Sequence, residues 1–316
     1  AHISSSSEGR EAQVASTILR AFPDEMVQVV LPRRNGIIAS KPPLYHWIAA
    51  TLASPFGEVT PALARLPSLL GAAIILCAVL RFAVRFAPPE SGVTTATTVL
   101  VTATALVGNY GFLSLATLSM VDMTFACFAT AAVLSLLWSL KCHPSGEALI
   151  ADDGALIHRE ALTPFFMWCA LATLTKGPIG LALPGVLSVV ALAVLFSPWS
   201  AVKYFLRPHR AWGWYLLLVV PWYASSVVLG EDSFVQRQIW FENIARIFGG
   251  EHTNREAWWF YFPAIATFAA PWSLFALGIA WCGRVRARTV PAAAGWMVVA
   301  GVLLFSLFAG KRHSYL

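Results

Sequence analysis

Long stretches without a charged side chain recur along this sequence, and they constrain its fold more than any other feature. Residues 91–121, for example, contain no Asp, Glu, Lys or Arg. About 20 apolar residues in a helix are enough to cross the hydrocarbon core of a bilayer. Only 12% of the residues are charged, whereas a soluble domain carries about 25%. The sequence therefore predicts an all-α integral membrane protein, and its 13 tryptophans fit the aromatic belts at the two membrane interfaces.

The apolar runs predict a bundle of eight spans. They cover roughly residues 63–84, 92–109, 119–140, 162–176, 178–197, 212–230, 258–281 and 290–310. We assign residues 62–316 to this transmembrane bundle and residues 1–61 to a first extracytoplasmic loop. Within that loop, 8–21 and 45–54 predict short juxtamembrane helices, and 22–40, with its prolines, predicts an extended loop. Because the sequence starts at Ala1 without a signal peptide and stops after a charged cluster, we expect a fragment of a longer protein.

Basic residues set the predicted orientation. Short loops on one side of the bundle are rich in arginine and lysine, which places that side in the cytoplasm by the positive-inside rule. The unusual ionisable residues then fall on the opposite face: Glu8, Arg10, Lys41, Arg65, Asp122, Lys176, the loop 231–256, Lys311, Arg312 and His313. Ionisable groups at membrane depth are candidates for function. Their shared side predicts one polar cavity open to the extracytoplasmic face.

Other classes of site have little support in the composition. The net charge of +6 comes from few charged residues and does not predict nucleic-acid binding. Five cysteines without short pairings predict neither a disulfide framework nor a zinc site. We expect no required cofactor, and a divalent cation stays open as an alternative.

Three cations have the surroundings of phosphate-binding residues. Lys41 precedes Pro42 and Pro43, which favour an extended backbone and hold the ammonium at a helix entrance. Arg65 can bind phosphate with two parallel hydrogen bonds, and Lys176 interrupts an apolar stretch beside Gly177. Each also has a structural interpretation, because lysines and arginines at helix ends extend towards the interface.

Carboxylates near such cations could remove a proton from an acceptor hydroxyl. Asp122 lies in an uncharged run, where it needs a cation, a metal or water, and an ion pair with an arginine is the structural alternative. Glu8 opens a helix, where acids also serve as partners of the helix dipole. His252 precedes the aromatic cluster at 258–261, although a single loop histidine is usually only solvated.

Short motifs along almost the whole chain resemble the aminoarabinose lipid A transferase family. This family is related to the protein O-mannosyltransferases and has the GT-C glycosyltransferase fold. The matching motifs, in order, are Glu8-Gly9-Arg10-Glu11-Ala12, Asn35-Gly36, Ser40-Lys41-Pro42-Pro43-Leu44, Ala64-Arg65-Leu66-Pro67-Ser68, Val121-Asp122-Met123, Leu174-Thr175-Lys176-Gly177-Pro178, His252 with Trp258-Trp259-Phe260-Tyr261, Pro271-Trp272, and Lys311-Arg312 with Tyr315.

The resemblance implies a glycosyltransferase that moves a sugar from a polyprenyl-phosphate donor to lipid A, another glycolipid or a protein, with inversion. It implies a multi-pass protein of the bacterial inner membrane whose site faces the periplasm. We expect Glu8 or Asp122 to be catalytic, and the residues expected to bind substrate are Arg10, Lys41, Arg65, Lys176, His252, Lys311, Arg312 and Tyr315.

Two departures from the family pattern leave the identity of the base open. Ser7 stands where the family usually has an aspartate favoured as catalytic, and Ser40 stands where a glutamate is frequent. They make a noncatalytic lipid-binding relative one alternative function. A secondary transporter with Asp122 as an ion site is another, although transporters favour midplane sites and internal repeats.

Overall fold

The computed structural model describes residues 6–87, 92–140, 159–206, 209–245, 257, 259–269, 272–273 and 289–307. In chain order, its elements are the helices α1 (Ser6–Ala21) and α2 (Met26–Val30), the strands β1 (Arg33–Arg34) and β2 (Ile37–Ile38), and the helices α3 (Leu44–Ala53), α4 (Pro61–Phe86), α5 (Thr95–Val107), α6 (Tyr110–Thr117), α7 (Val121–Trp138), α8 (Leu162–Lys176), α9 (Ile179–Leu195), α10 (Pro198–Leu206), α11 (Arg210–Phe234), α12 (Tyr261–Phe268) and α13 (Val290–Ser306). A π-helix, Val235–Ala245, continues directly from α11, and 3₁₀ turns cover Ser54–Phe56 and Arg159–Ala161.

The segment predicted as the first loop contains α1, α2, a hairpin and α3, which together we call the first-loop layer. The two predicted juxtamembrane helices are present as α1 and α3, but the prediction of an extended loop over 22–40 is wrong. That stretch contains α2 and an antiparallel pair in which Arg33 faces Ile38. Asn35 and Gly36 both have positive φ, 51° and 77°, in the two-residue turn between the strands. Asn-Gly is the preferred sequence for such a turn because both residues tolerate this conformation.

Helices α7, α8, α9 and α11 surround the main apolar core. Its fully buried side chains include Leu136, Phe165, Cys169 and Leu192. Close contact of α8 with α9 depends on Gly180, since a Cβ atom there would clash with the backbone nitrogen of Thr173. Because these four helices pack tightly around the core, the positions of their ends relative to one another are fixed.

The second predicted span, 92–109, is present as α5, and a further helix, α6, follows it where no span was predicted. Helix α5 ends at Val107, and α6 starts after Asn109 at an angle of 66°. The side chain of Asn109 accepts a hydrogen bond from the amide of Phe112 (2.9 Å), which caps α6 and stabilises the new helix direction. The uncharged run thus forms two helices because Gly108-Asn109 supplies an end and a start.

Three described helices, α4, α7 and α11 up to Gly230, are long and apolar enough to cross a membrane, and the bent pair α5 and α6 counts as a fourth if it is taken as one span. Helices α9 and α13 are apolar but shorter. Helix α8 has the predicted bounds 162–176. In the predicted span 258–281, α12 is the helix that the described residues contain.

The stretch after α11 is helical, so the described part of the predicted loop 231–256 is not a loop. Helix α11 runs to Phe234, and the π-helix carries the chain to Ala245. This π-helix holds the first-loop layer: Gln238 donates from Nε2 to the carbonyls of Ala39 (2.7 Å) and Lys41 (3.2 Å). Trp222 of α11 adds a hydrogen bond to the Val30 carbonyl (2.8 Å).

Candidate functional site

Lys41 lies between the first-loop layer and the π-helix. Its ammonium contacts the carboxylate of Glu242 at 2.7 Å, and the two side chains are only 15% and 7% exposed. Pro42 and Pro43 precede α3, so the lysine is held on the entrance of that helix as the sequence predicts. The π-helix residue Gln238 binds the carbonyl of Lys41 itself. Both the backbone and the charge of Lys41 are thereby fixed.

Arg65 and Glu8 form a buried ion pair between α4 and α1. Arg65 donates from Nε to Oε1 of Glu8 (3.0 Å) and from Nη2 to Oε2 (3.3 Å). The backbone amide of Ser119 donates to Oε1 at 2.9 Å. Glu8 has 0% exposure and Arg65 18%. A buried carboxylate with three donors holds three parts of the chain together.

Asp122 pairs with Lys176, not with an arginine. Nζ of Lys176 lies 2.5 Å from Oδ1 of Asp122 and 4.9 Å from the centre of the Phe125 ring. Asp122 is in the first turn of α7, and Lys176 is the last residue of α8. An anion near a helix start and a cation at a helix end both suit the helix dipoles. The buried aspartate therefore has the counter-ion that its apolar surroundings require.

Residues next to the ion pairs in sequence lie close to one another. Ser119, which binds Glu8, lies three residues before Asp122, and Ser68 donates to the intervening Met120 carbonyl (3.1 Å). On the other side, a Cβ atom on Gly177 would be 3.3 Å from Oδ1 of Asn243, the neighbour of Glu242. Neighbouring residues thus bring the ion pairs of Lys41, Arg65 and Lys176 near one another.

A small cavity of about 70 Å³ lies beside Lys41. The side chains on its wall include four cations and one acid: Arg10, Arg34, Lys41, Arg237 and Glu11. Arg10 is exposed and donates to Oγ of Ser7 at 3.1 Å. The excess of positive charge makes this cavity suited to an anion.

Glu11 and His46 form a fourth pair on the cavity wall. Oε2 of Glu11 lies 2.6 Å from Nε2 of His46, and His46 is 1% exposed. The neighbouring Tyr45 packs edge-on against the imidazole and donates to the Ala64 carbonyl (2.8 Å). Burial raises the pKa of Tyr45 to about 12, so its hydroxyl keeps the proton that it donates.

Several predicted substrate-binding residues lie outside the described part of the chain. These are His252, Lys311, Arg312 and Tyr315. Of the predicted residues that are described, Lys41 and Arg10 line the cavity, whereas Glu8, Arg65, Asp122 and Lys176 form the adjoining ion pairs. Within the described ranges, no three His, Cys, Asp or Glu side chains cluster as metal ligands.

Known proteins with related sequences are transferases of aminoarabinose. The chain is 26% identical over 206 residues to the undecaprenyl phosphate-alpha-4-amino-4-deoxy-L-arabinose arabinosyl transferase 2 of Proteus mirabilis. This alignment covers 64% of this chain and 34% of that protein. It is 28% identical over 256 residues to the corresponding transferase of Shewanella sediminis, covering 78% and 41%. No protein-family model matches.

The fold gives a stronger match. The crystal structure of ArnT from Cupriavidus metallidurans bound to undecaprenyl phosphate superimposes with a TM-score of 0.80 at 21% identity, covering 99% of this chain and 53% of that one. The resemblance to the aminoarabinose transferase family is confirmed. The chain is a multi-pass membrane protein with the GT-C fold of these transferases, and it spans about half the length of ArnT.

Two residues of this candidate site were not predicted from the sequence. Glu242 pairs with a lysine 201 positions earlier, so no local pattern reveals it. His46 lies within the motif around Lys41, but a histidine in an apolar helix is commonly only a core residue. The signal that could have identified it is its position five residues after Lys41, which places both near the start of α3.

Proposed function

We propose that this protein transfers a sugar from a polyprenyl-phosphate donor to a lipid or protein acceptor, with inversion at the anomeric carbon. The donor by analogy is undecaprenyl phosphate-linked 4-amino-4-deoxy-L-arabinose, and the acceptor is lipid A. The site faces the periplasm from the inner membrane. The observation that carries this proposal is a set of three partly buried cations, each paired with a carboxylate, near a cavity rich in positive charge.

Lys41 is the residue proposed to bind the donor phosphate. When the sugar–phosphate bond breaks, the phosphate oxygen gains negative charge, and a fixed ammonium stabilises that charge at the moment it develops. Lys41 meets this need because it lines the cavity and its backbone is held by Gln238. Arg10, Arg34 and Arg237 on the same wall add to the positive potential that attracts the phosphate.

Arg65 and Lys176 support the site from a short distance. Each is paired with a carboxylate that we had expected to be catalytic, Glu8 and Asp122. Both carboxylates are therefore already engaged by a cation. We propose that these two pairs fix the helix ends around the cavity and set its electrostatic potential.

The test is sugar transfer in membranes that contain the full chain. With labelled undecaprenyl phosphate-aminoarabinose and lipid A, the unaltered protein should form labelled lipid A, and Lys41→Ala should lower the rate at least 100-fold. Lys203→Ala is the matched control, because Lys203 is exposed on α10 and should leave the rate unchanged. Full activity of Lys41→Ala would contradict the phosphate-binding role. Uptake of substrate into vesicles without a covalent product would favour the transporter.

A further inference from the structure

One acidic side chain lies among the cations of the cavity beside Lys41. Glu11 is on the wall that also carries Arg10, Arg34, Lys41 and Arg237. In the part of the chain that the structure describes, none of these four cations forms an ion pair with Glu11. A carboxylate on the wall weakens the binding of a phosphate, because like charges repel. The charges of the wall therefore suit a ligand that carries a positive group as well as a phosphate.

His46 holds Glu11 in place without cancelling its charge. Because an ionised carboxylate only accepts hydrogen bonds, Nε2 of His46 donates to Oε2 of Glu11 at 2.6 Å. Nδ1 of His46 is buried and has no hydrogen-bond partner among the described residues. A doubly protonated imidazole would leave a charged N–H group there without an acceptor, which is costly. The geometry therefore favours a neutral histidine, and Glu11 keeps its negative charge.

One oxygen of Glu11 stays available to a ligand. Tyr45 packs edge-on against the His46 ring, with 5.5 Å between the ring centres, and donates from its hydroxyl to the Ala64 carbonyl. These contacts fix the imidazole and, through it, Oε2 of Glu11. Oε1 accepts no hydrogen bond from the residues that the structure describes, and the side chain is 17% exposed. The protein thus positions a carboxylate at the cavity and leaves half of its acceptor capacity unused.

The other acids near the cavity do not offer this contact. Glu8, Asp122 and Glu242 each pair with an arginine or a lysine, so their negative charge is compensated within the protein. They are also less exposed than Glu11, at 0%, 7% and 7%. Glu11 is therefore the carboxylate best placed to meet a positive group of a bound ligand.

We infer that Glu11 binds a positively charged amino group on the donor sugar, with His46 as its positioning residue. This inference rests on the proposed function, and it specifies the donor as a zwitterion with an ammonium on the sugar and a phosphate beside Lys41. The ammonium donates a charge-assisted hydrogen bond to Oε1 of Glu11. No covalent bond forms or breaks in this contact. Glu11 thus selects the donor, because a sugar with a hydroxyl in place of the ammonium loses the charge-assisted bond.

The test compares two donors that differ in one group. They are undecaprenyl phosphate-4-amino-4-deoxy-L-arabinose and undecaprenyl phosphate-L-arabinose, in which a hydroxyl replaces the amino group. Native mass spectrometry of the full chain measures the Kd of each. The unaltered chain should bind the amino donor about 10- to 100-fold more tightly. Glu11→Gln should bring the two affinities within about threefold of each other and change the Kd of the hydroxyl donor less than about threefold.

Further variants separate a residue that binds the ligand from one that only supports the fold. His46→Gln keeps a side-chain N–H donor and should retain most of the preference for the amino donor. His46→Phe should lower the preference at least about threefold without weakening the hydroxyl donor. A merely structural role would weaken both donors equally. Glu58→Gln, at an exposed acid between α3 and α4, is the control and should keep the affinities of the unaltered chain.

Sugar transfer to lipid A by the same samples distinguishes this inference from the proposed function. Equal affinity of the unaltered chain for the two donors would overturn the role of Glu11. Equal weakening of both donors in Glu11→Gln, or a preference that this variant leaves unchanged, would do the same. None of these results would affect the transferase. Absence of transfer with the preference intact would overturn the proposed function alone, and failure of the unaltered chain to bind either donor would overturn both.

Discussion

The two acids of α1 lie one turn apart and have opposite surroundings. Glu8 belongs to a buried joint, formed with Arg65 and Ser119, where its carboxylate accepts three hydrogen bonds and has no exposure. Glu11 belongs to the cavity wall, where it contacts His46 and remains partly exposed. The comparison shows how one short motif can supply both an attachment between layers and a group available for chemistry.

Mutations in the buried joint around Glu8 and mutations in the cavity wall should also have different effects. A buried charge that loses its partner costs more free energy than the pair itself supplies. Disruption of the joint should therefore lower stability, whereas disruption of the cavity wall should change ligand binding or turnover with little loss of stability.

Removal of the Glu8 carboxylate tests the joint most severely. Glu8→Leu should lower the free energy of unfolding by about 3–5 kcal/mol, because Arg65 is left largely buried without its counter-ion. Thermal unfolding in detergent micelles measures the change. The double variant Glu8→Leu/Arg65→Leu should recover most of the loss. A loss of less than about 1 kcal/mol in the single variant would show that Glu8 does not hold the layers together.

Asp122→Asn tests the second ion pair and should have a smaller effect. The amide oxygen can still accept from Lys176, but the charge that stabilised the ammonium is gone. We expect a loss of about 2–3 kcal/mol in the free energy of unfolding. The same unfolding assay measures it, with Asn109→Ala, which removes the cap of α6, as a reference of about 1 kcal/mol. Equal effects of the two changes would argue against a buried charge pair.

Gly177→Ala tests the close approach of Gly177 to Asn243. Gly177 has φ 89° and ψ −162°, a conformation that other residues avoid, and a Cβ atom would approach Asn243. We expect a loss of about 1–3 kcal/mol. Gly57→Ala is the matched change, since Gly57 also has positive φ but has nothing within 4 Å of a Cβ position. If Gly57→Ala lowers the free energy of unfolding more than Gly177→Ala does, the close approach of Gly177 to Asn243 does not affect stability.

Glu242→Gln tests the cavity side and should have the smallest effect. Lys41 must exchange this carboxylate for a phosphate, so its neutralisation should tighten undecaprenyl phosphate binding about three- to tenfold, which is about 0.7–1.4 kcal/mol. Native mass spectrometry of the full chain with undecaprenyl phosphate measures the affinity, with Glu25→Gln as the control. Weaker binding would instead show that Glu242 positions Lys41 for the phosphate.

Local sequence chemistry predicted much of this fold. Uncharged runs gave the bundle because a bilayer requires them, and Lys176-Gly177-Pro178 ends one helix and starts the next as expected. The sequence also contains two turn signals that our predictions did not include. Asn35-Gly36 is a hairpin turn, and Gly108-Asn109 ends one helix and caps another inside an uncharged run.

The sequence indicated which residues belong to the candidate site, but it did not indicate which of them form ion pairs with each other. Lys41, Arg65, Asp122 and Lys176 were recognisable because charge in apolar sequence is costly. Their partners were not, because Glu242 and Lys41 are 201 positions apart and Glu8 and Arg65 are 57 apart. Only the packing of the helices brings those groups together.

A structure of the full protein with undecaprenyl phosphate would test the central claim most directly. Our account predicts the phosphate in the cavity beside Glu11, with an oxygen within hydrogen-bond distance of Nζ of Lys41 and the Glu242 contact broken or lengthened. A phosphate bound at the opposite end of the bundle, or one that leaves the Lys41–Glu242 pair intact and lies outside the cavity, would contradict it.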